Sequence, residues 1–316
     1  MARQSNLPKA LQPMLATLVD APFDGRDWVF ESKWDGFRIV AAIEKRSVTL
    51  YSRNGLIVSD NYMPITRALE KVKSDAVIDG ELVAIDAHGI SRFQLLQNAL
   101  NTAANLRYCM FDVMFLGGKD LRGLPLLERK ERLRALLPKD PLLIYSEHLP
   151  EHGKRYFREV QKAGLEGIIA KRAQSRYLSG ARSKDWLKIK TSRRQEAVVV
   201  GFTAPRRTRP YFGALVLAVR DGGAWRYIGH VGTGFSHAML KDLHAKLWPL
   251  RTASSPFKQR VKDEATTTWI KPKLVAEVRF TEWTSAGEMR HPALLGIRED
   301  KKPTEVVLEK EARPPK

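Results

Sequence analysis

The stretch "ESKWDGFRIV", Glu31 to Val40, places three ionisable groups at alternate positions. Side chains alternate along an extended strand, so Glu31, Lys33 and Asp35 share one face while Phe30, Ser32 and Trp34 take the other. Asp35-Gly36 between two β-type runs predicts a tight hairpin turn in which glycine accepts a positive φ. Charged residues of one parity recur downstream: Asp79 and Glu81 in "VIDGELV", Glu166 opening "EGIIAKR", and Lys188 and Lys190 in "WLKIK", where Leu187 and Ile189 take the opposite face. Each motif alone reads equally well as a wetted strand surface. Together, lysines and carboxylates backed by apolar faces predict a cleft lined for phosphate and metal.

The elements that must position such a cleft follow from periodicity. β-type runs recur in "WVFESKW", "FRIVAAIE", "SVTLYS", "AVIDGELVAID", "YCMFDVMFL", "EGIIAKR" and "DWLKIK". Helical spacing interrupts them in "MPITRALEKV", "FQLLQNALN", "LLERKERLRALL" and "GKRYFREVQKAG". In the third of these, Leu126, Leu133, Leu136 and Leu137 form an apolar face, and Glu128, Arg129, Lys130 and Glu131 are expected to face solvent. Residues 1–192 therefore read as an α+β domain.

After "KTSRRQE" the texture changes to short strands and glycine-rich turns, with a helix at about 236 to 248. Residues 193–316 read as a second, β-rich domain. A strand meander with one helix suits a small barrel of the oligonucleotide-binding (OB) type, although other small barrels fit as well. "RTASSPFKQRVKDEATTT" is expected to be a loop across this domain, and "EKEARPPK" a mobile tail.

Bulk properties narrow the function. The chain has 316 residues, longer than one typical domain, with 43% hydrophobic and 28% charged residues, an ordinary globular balance. No apolar run approaches the roughly 18 residues that span a bilayer, and the N-terminus lacks an apolar signal core, so a soluble, cytoplasmic protein is expected. The single cysteine, Cys109, excludes an intrachain disulfide and reads as a small buried hydrophobe, and the histidines show no zinc spacing. A net charge of +19 favours polyanionic partners, nucleic acid first. "APRRTRP", with Arg206, Arg207 and Arg209, and "KTSRRQ" concentrate that charge in loop-like segments from which side chains reach phosphates.

The order "KWDGFR", "SRNG", "DGELV", "CMFDVMFL", "EGIIAKR" and "WLKIK" resembles the successive motifs of covalent nucleotidyltransferases, most closely the ATP-dependent DNA ligases. "VRFTEW", "MRHP" and "GIREDK" resemble the final motif of that family, and "FGALVLAV…GHVGTGF" resembles the ligase module of bacterial non-homologous end-joining ligase D. The likeness spans residues 8 to about 303 and implies a nucleotidyltransferase domain, with ATP-grasp-like antiparallel sheets and helices, followed by an OB barrel. The polymerase and phosphoesterase modules often fused to such ligases do not fit in this chain, nor does the extra domain of NAD-dependent ligases. ATP is therefore the expected donor, and a stand-alone or excised ligase module, monomeric and nucleoid-associated, is the expected form.

By that resemblance Lys33 attacks the α-phosphorus of ATP and carries AMP as a phosphoramidate. Its amine must be neutral to attack, which Lys188, Lys190, Arg38 and a divalent cation are expected to favour. Glu31 is expected at the adenine edge, through its carbonyl or its carboxylate, Phe111 stacked on the base, and Arg38 and Arg53 on ribose or phosphate, Arg53 also reading the 5′-phosphate of the break. Glu81, Glu166 and Asp35 are the expected carboxylates for magnesium or manganese, and Lys188 and Lys190 the residues that neutralise the α-phosphate. Arg298, Asp300 and Lys301 are expected on the β- and γ-phosphates, the second domain closing over ATP and then releasing it to grip DNA. Nicked or broken duplex DNA is the implied partner, with bacterial Ku added by analogy. Rival readings are an RNA ligase or capping guanylyltransferase, which share the lysine motif, and a non-catalytic basic module, against which the retained carboxylates argue.

Overall fold

The computed structural model describes residues 7, 12–91, 93–98, 105–205, 209–309 and 311–315, and divides the chain into two compact units. The first comprises residues 1–191 with 311–316. It begins with strands β1 (Leu15–Leu18), β2 (Gly25–Ser32), β3 (Phe37–Glu44) and β4 (Ser47–Ser52). Helix α1 (Met63–Leu69) leads to β5 (Ala76–Ala84), and α2 (Phe93–Asn98) to the long β6 (Leu106–Leu116) and the short β7 (Lys119–Asp120). Helix α3 (Leu126–Leu136), β8 (Leu143–Tyr145), β9 (His148–Glu151), α4 (Gly153–Lys162), β10 (Gly167–Arg172) and β11 (Arg182–Lys190) follow.

These strands make two sheets, β1-β11-β10-β2-β9 and β4-β3-β5-β6-β7, with β8 parallel beside β6. Ile39, Ile43, Leu50, Ile65, Ile78 and Leu133 build the core under α1 and α3. Phe30, Val160, Ile168 and Ile189 build the one under α4. Mixed sheets with helices packed on them agree with the α+β expectation.

The predicted hairpin is absent. β2 pairs with β9 and β10, β3 pairs with β4 and β5, and the two belong to different sheets. Lys33 to Gly36 is therefore a crossover between sheets. Gly36 is not among the residues of positive φ; a Cβ built on it would collide with the carbonyl oxygen of Leu82. Its role is close backbone approach, whereas Gly55, with φ of +77° and open space around it, is a true turn glycine.

Helix α3 departs from expectation more sharply. Arg129 and Lys130 are 0% and 1% exposed, not solvated. Leu126, Arg129, Lys130 and Leu133 follow the i, i+3, i+4, i+7 spacing of one helix face, so the period places both cations inward. The Arg129 guanidinium spans both oxygens of Asp112 at 2.8 Å each and donates to Ser175 O at 2.8 Å. The C-terminal segment is not loose either. The Ala312 N–H donates to Leu18 O at 3.0 Å and its carbonyl accepts from Asp20 N at 3.1 Å, extending β1.

The second unit, residues 192–310, holds β12 (Arg193–Thr203), β13 (Leu215–Asp221), β14 (Ala224–Val231), α5 (His237–Leu247), β15 (Thr267–Phe280) and β16 (Ala293–Ile297). Its sheet runs β14-β13-β12-β15-β16, and an isolated parallel bridge joins Thr233, just after β14, to Ala293. Helix α5 lies where periodicity puts it, its first turn capped by Ser236 Oγ accepting from Met239 N at 3.2 Å. Leu240, Leu243 and Leu247 bury against Val198, Leu217, Ile228 and Trp269. "KTSRRQ" is not a loop throughout, because Arg193 to Gln195 open β12. The polar stretch after Arg251 is largely irregular, as expected, until β15 begins at Thr267. Among the described residues no helix is long and apolar enough to cross a membrane.

Candidate active site

β2 ends at Ser32, but Lys33 stays in register with the sheet because its N–H donates to Gly167 O at 2.9 Å. Its Nζ lies 2.5 Å from Oε2 of Glu166, the residue just before β10. Lys33 is 21% exposed and Glu166 3%, so the pair sits where buried framework meets solvent. Across β10, Ile169 pairs with both Glu31 and Lys188, and Gly167 pairs with Lys190. Glu31 and Lys188 thus occupy one row on the same sheet face. Leu187 and Ile189 are buried and Lys188 and Lys190 half-buried, as alternation predicts.

Behind Lys33 lies a cluster that sequence reasoning missed. Glu31 is 2% exposed, with Oε1 2.8 Å from Lys130 Nζ and Oε2 2.9 Å from Lys171 Nζ. Burial would raise the Glu31 carboxyl, but these two ammoniums hold it below the usual carboxylate range. The Lys171 ammonium, stripped of water and sharing that one carboxylate, is pulled down to about 8. Of the two Glu31 groups expected at the adenine edge, the carboxylate is tied to two lysines. The signal for Lys130 was its helical spacing; Lys171 stood inside "EGIIAKR", an inward position of a buried strand.

On the other sheet Arg38 and Glu81 are register partners. Arg38 grips both oxygens of Asp79 at 2.6 and 2.7 Å, and Asp79, 0% exposed, also accepts from Tyr177 Oη at 2.5 Å. Much of Arg38 is thus committed to framework. Phe111 is 6% exposed, with the Arg38 guanidinium 4.6 Å and the Lys171 ammonium 4.3 Å from its ring centroid. Its ring packs in the core of the first unit beside both cations. Arg53 sits half-buried in the turn closed by Gly55 N donating to Ser52 O at 2.9 Å.

Asp35 donates its N–H to Ser91 Oγ at 3.2 Å, Glu81 is half-buried on β5, and Glu166 bonds Lys33. Among the described residues no three of His, Cys, Asp and Glu form a group able to hold a metal. The three expected carboxylates are therefore not a preformed protein-only cage. Cys109 is buried, as expected, and burial pushes its thiol up.

In the second unit Arg298 Nε and Nη2 donate to Asp300 at 2.8 and 2.7 Å, and Nη1 to Glu277 at 3.0 Å. Lys301 pairs with Glu196 at 3.1 Å. Burial alone would lower the Arg298 guanidinium; Asp300 and Glu277 raise it well above the arginine norm. The residues expected on the β- and γ-phosphates come together, engaged with acids of their own unit. Arg209 does not project as a free arm: it bonds Gly232 O and lies 5.0 Å from the Phe235 ring centroid. Arg206 and Arg207 lie outside the described residues.

Residues 13–190 match the family described as ATP dependent DNA ligase domain, and residues 208–301 match ATP dependent DNA ligase C terminal region. The multifunctional non-homologous end joining protein LigD of Pseudomonas aeruginosa is 38% identical over 98% of this chain, which covers 38% of that protein. The LigD of Mycobacterium tuberculosis is 38% identical over 95% of the chain, which covers 40% of it. The chain thus spans about two-fifths of the length of these relatives. A solved structure of mycobacterial DNA ligase D complexed with ATP and MES superposes with a TM-score of 0.71 at 35% identity, covering 94% of this chain and 97% of that one. The ligase domain of M. tuberculosis LigD does so with a TM-score of 0.53 at 37% identity, covering 94% and 98%. With the lysine, its acid partner and the paired lysines of β11 all lying inside the matched span, the chain belongs to the ATP-dependent DNA ligase family.

Proposed function

We propose that this chain seals 3′-hydroxyl/5′-phosphate breaks in duplex DNA through a lysyl-AMP formed on Lys33. The observation that carries the reading is the Lys33–Glu166 pair at the mouth of β10. An ammonium has no lone pair, so attack requires the Lys33 proton to leave, and Glu166 is within reach to accept it or to release the pair. Lys33 Nζ then bonds the α-phosphorus of ATP as the bond to pyrophosphate breaks. AMP passes to the 5′-phosphate of the DNA, and the 3′-hydroxyl displaces it. Lys188 and Lys190 offset the charge that builds on the transferred phosphate. Arg38 and Arg53 serve phosphate or ribose, Glu31 (through its main-chain carbonyl) and Phe111 the base, and Arg298 and Lys301 the β- and γ-phosphates once released from their acids.

Carboxylate oxygens are the donors magnesium and manganese take, commonly one or two of them with substrate phosphates filling the shell, and Glu81, Glu166 and Asp35 would hold such an ion. It would supply positive charge at the transferred phosphate. We read the second unit as an OB barrel. Its order β14-β13-β12-β15-β16, the helix between the third and fourth strands, and the parallel Thr233–Ala293 bridge that links the sheet's two edges support closure. A domain division near residue 192, action in the cytoplasm near the nucleoid as a monomer, and cooperation with Ku complete the proposal. The end joining named for the LigD relatives supports the last.

The test is transfer of label. Protein incubated with ATP labelled at its α-phosphate should become labelled, pass the label to 5′-phosphorylated nicked DNA, and release it as AMP. Lys33→Ala should take up none, a loss of about four orders of magnitude or more. Label on Lys33→Ala, or preferential label from GTP, would overturn the reading.

A further inference from the structure

Besides Lys171, which bonds Glu31 Oε2 at 2.9 Å from within "EGIIAKR", the residues on either side of Lys33 are held by two side chains outside the motifs of the nucleotide site. Two positions before it, Glu31 is bonded by Lys130 at 2.8 Å. One position after it, the Trp34 indole donates to Ser146 Oγ at 3.1 Å. Ser146 joins the two sides: its hydroxyl donates to Glu31 Oε2 at 3.3 Å, and its carbonyl accepts from Lys130 Nζ at 2.9 Å. We infer that Lys130 and Ser146 form a positioning clamp for the Lys33 nucleophile, acting through Glu31 and Trp34 without touching the nucleotide. The inference rests on the reading of Lys33 as the adenylated residue.

Three observations carry it. Lys130 and Ser146 are each 1% exposed, so neither is there for solubility. Lys130 occupies an inward position of α3, where an apolar residue would pack without the cost of burying a charge; what lysine adds is direction. Its base is also rigid. Arg129, the adjacent residue, is bonded to Asp112 of β6 at 2.8 Å and to the carbonyls of Leu124 and Ser175. A chain of directional bonds therefore runs from β6 through α3 to Glu31 and so to Lys33. The link itself lies between strands of different sheets, and its own bonds include the Lys33 N–H on Gly167 O at 2.9 Å, the Lys33 ammonium on Glu166 at 2.5 Å and the Asp35 N–H on Ser91 Oγ at 3.2 Å. Nucleophilic attack is sensitive to placement on the scale of an ångström, which is the error such a clamp removes.

The experiment uses Lys130→Met, Lys130→Arg and Ser146→Ala in the full chain. Each is assayed for lysyl-AMP formation at saturating ATP, for KM of ATP, for thermal midpoint, and for sealing of a nick whose 5′ end already carries AMP. In that last step Lys33 is no longer the nucleophile. Lys130→Met should slow lysyl-AMP formation about 30-fold and Ser146→Ala about 5-fold, with KM and sealing of the adenylated nick within about 3-fold. Lys130→Arg, which keeps the charge and the donors, should recover to within about 3-fold of the parent. Should Lys130→Met not fold, Ser146→Ala and Lys130→Arg decide. Proportional loss of both steps, or lysyl-AMP formation at the parent rate in a folded Ser146→Ala and Lys130→Met, overturns the clamp. A parent that takes no label from ATP sinks the ligase reading and this inference with it; a labelled parent with unaffected variants sinks the clamp alone.

Discussion

The two units bury charge in opposite ways. Behind Lys33, two ammoniums, Lys130 and Lys171, share the single carboxylate of Glu31. In the second unit Arg194, Arg298 and Lys301 meet Glu196, Glu277 and Asp300, a cation for every acid. A balanced network is satisfied by itself, so an arginine within it binds phosphate only by giving up an acid. An unbalanced one leaves positive charge in the framework, and in this chain it lies two residues from Lys33, the residue we propose to attack ATP. The same residue types thus serve a self-contained structure in one place and an anion-receptive one in the other.

Breaking the balanced side should have the largest effect. Arg298→Ala leaves Asp300 and Glu277 buried without their guanidinium and should cost about 3–5 kcal/mol, read by urea unfolding of the second unit. A cost under about 1 kcal/mol would mean that this network is not what holds β15 to the turn after β16. If Arg298 also serves the β- and γ-phosphates, a milder Arg298→Lys should lose lysyl-AMP formation while sealing of a pre-adenylated nick survives. Loss of both steps would remove it from the first step alone.

The link carrying Lys33 offers the next contrast. Gly36→Ala drives a Cβ into the Leu82 carbonyl and should cost about 2 kcal/mol, slowing adenylation as Lys33 shifts. Gly55→Ala meets no neighbour and should cost only about 1 kcal/mol of backbone strain. Equal costs would put Gly36 back in the role of a turn.

The smallest effect tests the unbalanced side directly. Lys171 titrates at about 8 when folded against 10.5 when unfolded, so between those values the unfolded chain binds more protons and stability rises with pH. Relative to Lys171→Met, the parent should gain about 1 kcal/mol from pH 7 to pH 9. Parallel stability curves for the two proteins would show that the Lys171 charge is compensated.

Much of this was legible beforehand because it depends on local period. Strands β2 to β6, β10 and β11, the four helices of the first unit, α5 and the inward parity of Leu187 and Ile189 follow from spacing alone, whereas β1, β7, β8 and β9 are too short to show a period. Asp35-Gly36 misled because a tight turn and a close backbone approach select the same residue, and only sheet pairing tells them apart. Arg129 and Lys130 misled because charge outvoted position, although 126, 129, 130 and 133 share a face. Of the acids that hold Arg298, Asp300 is two residues away, but Glu196 and Glu277 were out of reach, since they lie on separate strands, far from it in sequence.

The pairing of Ala312 with Val19 has a consequence for biosynthesis. A ribosome delivers β1 early, yet the bond that extends it comes from a residue made only after the entire second unit. The second unit must therefore collapse as an excursion from a first unit whose edge is still open, with both of its ends returning to the same body. The stretch Leu18 to Asp20 at the end of β1 lacks that partner for the time taken to synthesise some 120 residues, on the order of ten seconds, and is open to wrong partners meanwhile.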